Sequence, residues 1–127
     1  NALALGLRYF AGVFAVGFAL GTVRTLWLAP LVGEIGAVAM ELPFMLAASW
    51  WWCGRLLARQ PLGLAGRAVM GGSAFVWLMI AELALAMAMG RAPAQHFAAM
   101  VTAAGLLGLA GQVAFAALPM VGRVSRP

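Results

Sequence analysis

The chain contains no Lys and no Asp, a single Cys and a single His, and its eight Arg and three Glu supply all the formal side-chain charge in 127 residues. A charged fraction of 9%, against about 25% in soluble domains, excludes an ordinary soluble protein, because a chain this short cannot bury its apolar excess. One cysteine, Cys53, excludes an intrachain disulfide. With the only histidine, His96, far from it in sequence, a structural metal site that needs about four ligands is excluded too. No metal and no cofactor are expected. Gly71-Gly72-Ser73 has no following Lys and lies inside an apolar run, so it is not a phosphate loop. No nucleophile–base pair or solvent-open pair of carboxylates is legible, so no enzymatic activity is expected.

What the sequence does have is apolar length. Its hydrophobic content is 65% and its mean hydropathy +1.01, and four long runs emerge at about 7–28, 34–57, 68–89 and 97–121. Each is close to the roughly 20 residues that cross a 30 Å hydrocarbon core. The runs are too long, and too uniform in their apolarity, for the alternating strands of a membrane barrel. Turn residues punctuate them at 29–33, 60–63 and 90–93. Links this short make consecutive helices antiparallel neighbours. The expected fold is therefore an all-α membrane protein, one domain over residues 1–127, with four transmembrane helices in an up-down-up-down antiparallel bundle. The first run is too long for the apolar core of a cleavable signal.

The arginines fall singly at the ends of the runs and read as topology signals rather than a nucleic-acid surface. Placing both termini in the cytoplasm puts Arg8, Arg55, Arg59, Arg67, Arg123 and Arg126 inside and leaves Arg24 and Arg91 toward the outside. Exclusive use of Arg in an Ala- and Gly-rich chain points to a GC-rich bacterial genome, hence to the bacterial inner membrane. Tyr9, Phe10, Trp27 and Trp50-Trp51-Trp52 then fall at span ends, as interfacial anchors do. Three consecutive Trp point about 100° apart and so do not converge into a cage for a cation. Gly17 and Gly21 form a GxxxG pair, and Gly105, Gly108 and Gly111 form a second small-residue stripe, each suited to internal packing or to an oligomer face.

Ionisable groups inside spans are costly and mark function by default. At 1.5 Å per residue, Glu41 lies about 10 Å below Glu34 on nearly the same helix face, and Glu82 lies about 9 Å below the same outer boundary. Arg24 and Thr102 approach that depth from the first and last spans. One polar layer is thus expected from Arg24, Glu41, Glu82 and Thr102, with Glu34 solvated at the boundary and the Ala39 carbonyl freed by Pro43 as an extra acceptor. Arg24 is expected to bind one of the two deeper acids. The other, without a cation, is a candidate proton site whose partner is expected to be Thr102 or the Ala39 carbonyl. Ser49, Ser73 and Gln112 form a second layer about 8 Å from the inner face, read as interhelical hydrogen bonding. His96, outside the spans, reads as a solvated or capping residue, the alternative being a cofactor ligand. The expected role is a non-enzymatic accessory or assembly subunit of a larger membrane complex. Its partners would be the lipid bilayer and other membrane subunits or further copies of itself. The alternative is a small homodimeric proton-linked transporter or channel using Glu41 or Glu82.

Overall fold

A computed structural model describes residues 1–121, and these form helices without a strand among them. The elements are α1 (Ala2–Val23), a π-helical segment (Arg24–Leu28), α2 (Ala29–Arg59), α3 (Leu64–Ala88), a short α4 (Pro93–Met100) and α5 (Ala103–Val121). Three helical runs, Ala2–Arg59, Leu64–Ala88 and Ala103–Val121, are long and apolar enough to cross a membrane.

The run Ala2–Arg59 is folded back on itself at one residue. Helical geometry continues through Ala29–Val32, where a five-residue turn was expected, and fails only at Gly33, with φ 83° and ψ 166°. That region is accessible to glycine alone, so the first two apolar runs meet at a single-residue corner. Pro43 leaves the dihedrals of α2 helical.

The fourth apolar run, expected as one helix over 97–121, is broken. Pro93 starts α4, and the Gln95 side chain accepts a hydrogen bond from the Ala92 N–H at 2.8 Å. The helix ends at Met100. Thr102 then caps α5, its Oγ1 accepting from the Gly105 N–H at 3.1 Å and donating to the Ala99 carbonyl at 2.7 Å. Threonine suits an N-cap because its oxygen satisfies one of the orphan donors of the first turn.

In cross-section the backbone of α1 runs beside α2 and α3, and that of α5 beside the same two helices, while the backbones of α2 and α3 do not come within 8 Å of each other among the described residues. The order around the bundle is therefore α1, α2, α5, α3. Short links were expected to make every consecutive pair neighbours; instead the Gln60–Gly63 link crosses a diagonal. Its ends are extended, with ψ 84° at Gln60 and 177° at Gly63. Four such residues reach about 13 Å, which spans the diagonal of a bundle with adjacent axes about 8–10 Å apart.

Register is given by particular pairs. Along α1, Gly6 lies against Met70 and Ser73, and further on Phe10 stacks on Trp77 at 6.3 Å. Toward α2, Gly12 faces Trp52 and Gly17 faces Met45. Between α3 and α5, Gly71 lies against the Ala116 carbonyl, while Glu82 meets Gln112. The closest helix approaches are thus at Gly6 and Gly71. In the GxxxG pair, Gly17 meets the end of Met45 and Gly21 only Arg24; in the α5 stripe, Gly111 meets Leu42, Gly105 meets the end of α4 and Gly108 faces open space.

The buried core gathers at the end that carries the Gln60–Gly63 link: Leu5, Tyr9 and Val13 of α1, Leu56 and Leu57 of α2, Met70 of α3 and Phe115 of α5. Tyr9 was expected as an interfacial anchor, yet it is fully buried. Its ring stacks on Phe115 at 4.4 Å and its hydroxyl donates to the Phe115 carbonyl at 2.6 Å. Pro119 explains this. It has no N–H to offer the carbonyl four residues earlier, and Tyr9 from α1 replaces that donor.

Candidate functional site

The polar groups meet toward the opposite end, where fewer residues are buried. Arg24 is the first residue of the π segment, and its Nε donates to Glu41 Oε1 of α2 at 2.5 Å. Their side chains are 32% and 15% exposed, a partly buried ion pair that bridges α1 and α2. A charge-assisted bond of this kind is stronger than a neutral one.

Glu82, on α3, is half-buried and takes a different partner. Gln112 of α5 donates from Nε2 to both carboxyl oxygens, at 2.7 and 2.6 Å. Arg24, Glu41 and His96 lie within electrostatic reach of the same carboxyl. The site therefore brings together Arg24 and Glu41 as an ion pair and Glu82 and Gln112 as a hydrogen-bonded pair, drawing on all four long helices. His96, on α4, is half-buried beside it, its ring 5.5 Å from that of Phe97.

The other expected members lie outside these two pairs. Thr102 is exposed and spends its hydroxyl on capping α5, so it does not reach Glu82. Glu34 is exposed just beyond the Gly33 corner. Ala39 and Pro43 are both exposed on α2.

The expected second layer does not form. Ser49 donates back to the Met45 carbonyl and Ser73 to the Met70 carbonyl, each within its own helix, at 2.8 and 3.2 Å. Gln112 belongs to the first layer instead. The break at Thr102 accounts for the shift: counted from Phe97 the residue is about 22 Å into a continuous helix, but counted from Ala103 it is about 14 Å into α5.

Two further polar residues take roles other than those the sequence suggested. Arg67, read as a loop charge, is 3% exposed; its Nε donates to the Leu62 carbonyl and its Nη1 to the Pro119 carbonyl, both at 3.1 Å. It ties the start of α3 to the end of α5. Trp52 is half-buried rather than belted at a surface, and donates to the Arg8 carbonyl at 2.8 Å across the α1–α2 seam. Gly12 makes room for that indole, since a Cβ there would overlap it. Among the described residues, every buried side-chain nitrogen and oxygen has a hydrogen-bond partner, and no cluster of three His, Cys, Asp or Glu could hold a metal ion. Searches against protein families, curated proteins and solved structures found no match.

Proposed function

We propose that the chain is an integral protein of the bacterial inner membrane, an up-down-up-down four-helix bundle with both termini cytoplasmic, acting as a non-enzymatic accessory or assembly subunit of a larger membrane complex. The observation that carries the structural half of this reading is the mutual satisfaction of the intramembrane polar groups. Glu41 has its cation, Glu82 has its amide, and no buried side-chain donor or acceptor is left over among the described residues. Such a layer fixes which helix faces meet without requiring water or a substrate.

Support for the topology comes from register. Partners on α3 advance as α1 advances, from Met70 to Trp77, whereas partners on α2 retreat from Trp52 to Met45 and then Glu41. Support for the membrane setting comes from the surface. Leu31 is 79% exposed, Val101 70% and Phe44 67%, and most residues of the spanning stretches are not buried within the bundle, more apolar area than a lone soluble domain leaves uncovered. Extraction into a mild detergent followed by mass spectrometry tests the subunit reading: a stoichiometric membrane partner is expected. Recovery of the chain only by itself, in a state that carries out transport when reconstituted, would overturn it.

A second reading rests on Glu82. Its partner is neutral, and an amide serves both protonation states, donating to a carboxylate or, turned over, accepting from a carboxylic acid. Glu82 could therefore exchange a proton without losing its hydrogen bond, as a homodimeric proton-linked transporter requires. Glu82→Gln separates the readings. A subunit with a structural layer should assemble and function with this variant, whereas a carboxylate-driven transporter should lose proton-linked flux in vesicles at unchanged thermal stability.

A further inference from the structure

The α1–α2 seam carries a second feature, at the end away from the polar layer. An open groove of about 190 Å³ is lined by Gly12, Val13 and Val16 of α1 and by Ala48, Trp51 and Trp52 of α2. Its walls are almost wholly apolar, because the one polar edge, the Trp52 N–H, is already committed to the Arg8 carbonyl. Helix register places two arginines at one end of this groove. Arg55 lies over the Trp51 ring, 5.3 Å from its centroid, so a guanidinium is held against the groove wall. Arg8 precedes Gly12 by four residues, one helical turn on the same face of α1. Because Gly12 pairs with Trp52 and Gly17 with Met45, the turn before Gly12 and the turn after Trp52 lie at the same end. Both Arg8 and Arg55 are exposed.

We propose that this groove is a binding site for an anionic phospholipid of the cytoplasmic leaflet, one acyl chain lying along Gly12, Val16 and Trp51 and the phosphate held between Arg8 and Arg55. The proposal rests on the membrane placement and orientation given above. Charge complementarity selects the occupant. An apolar trough alone accepts any acyl chain, but two guanidinium groups at one end, with no acid within four residues of either, favour a headgroup of net negative charge. A guanidinium held over an aromatic face, as Arg55 is over Trp51, can still offer its N–H groups to phosphate oxygens.

The test uses the full chain, purified and exchanged into bilayer nanodiscs containing equal amounts of phosphatidylglycerol and phosphatidylcholine, with lipid retained on transfer to detergent counted by native mass spectrometry. Selective retention of phosphatidylglycerol is expected, falling about fivefold for each of Arg8→Gln and Arg55→Gln. Val16→Phe leaves every charge in place and fills the trough, and it should also abolish the selectivity. Equal retention of the two lipids by the unaltered chain would overturn the proposal, as would selectivity untouched by either arginine substitution. Selectivity lost with the arginines but kept by Val16→Phe would reduce the site to surface charge and overturn the groove. Failure of the underlying membrane placement is read separately, as release of the chain from native membranes by alkaline carbonate.

Discussion

At the scale of single residues, the polar groups act by compensating one another's deficits, and each compensation can be tested by removing both sides. Pro119 deprives the Phe115 carbonyl of its helical donor, and the Tyr9 hydroxyl supplies one from α1. Tyr9→Phe keeps the ring and its stacking but leaves a buried carbonyl unpaired, which costs about 1–3 kcal/mol. In a Pro119→Ala background the N–H of residue 119 returns to that carbonyl, so the same Tyr9→Phe change should cost markedly less. Denaturation of all four proteins in a graded detergent mixture gives the coupling directly. Additive losses would mean that the hydroxyl is not replacing the proline's missing donor. Arg24 and Glu41 follow the same logic with charge: Arg24→Ala should cost about 1–3 kcal/mol, less than a fully buried pair because the Arg24 side chain is 32% exposed. Arg24→Leu combined with Glu41→Leu should cost less than Arg24→Ala, since neither charge is then stranded. Equal losses in the single and double variants would argue against a clamp.

Among the elements, glycine separates the seams that hold the bundle from the faces that do not. A Cβ at Gly71 would overlap the Ala116 backbone carbonyl, whereas one at Gly108 would meet nothing within 4 Å. Gly71→Ala is therefore expected to force α3 and α5 apart and lower thermal stability by about 1–3 kcal/mol, and Gly108→Ala to be neutral or to stabilise α5 by up to about 1 kcal/mol. Circular dichroism melts of the two variants in one detergent check the contrast. A reversal of that order would show that the α3–α5 seam lies elsewhere. These contacts also explain how much could be read beforehand. Apolar run length depends on local composition, so the helical class and the rough extent of the long apolar runs were legible, as was the pairing of Arg24 with one of the two deeper acids, although depth alone did not say which. Glu82–Gln112 was not. Its register depends on where the last helix begins, and a Thr-capped break inside an apolar run carries almost no compositional signal. The burial of Tyr9 and Arg67 was hidden for a related reason. Both partners are backbone carbonyls near Pro119, and a sequence displays side chains rather than the carbonyls a proline leaves free.

For the molecule as a whole, the two ends differ in both packing and charge. The end with the Gln60–Gly63 link holds the aromatic and aliphatic core, and the Gly33 end holds the paired acids. Burial and pairing take two arginines out of the surface charge asymmetry. Arg67 is tied into the bundle and Arg24 is paired with Glu41, so neither is a surface charge in the ordinary sense. Arg123 and Arg126 lie outside the described residues. What remains exposed is Arg8, Arg55 and Arg59 at the link end against Arg91 at the other, an asymmetry that still supports the proposed cytoplasmic placement of the link. Cys53 is buried in the core, so Cys53→Ala gives a background without a native thiol in which single cysteines can report sidedness. Ala92→Cys, in the exposed turn before α4, should react in intact cells with a membrane-impermeant maleimide. Gln60→Cys, exposed in the link, should react only after the membrane is opened. The reverse pattern would invert the protein, placing the Arg8–Arg55 groove in the outer leaflet and the acid layer nearer the cytoplasm. Labelling of both positions from outside would mean that α3 does not cross the membrane, and the four-span bundle would fall with it.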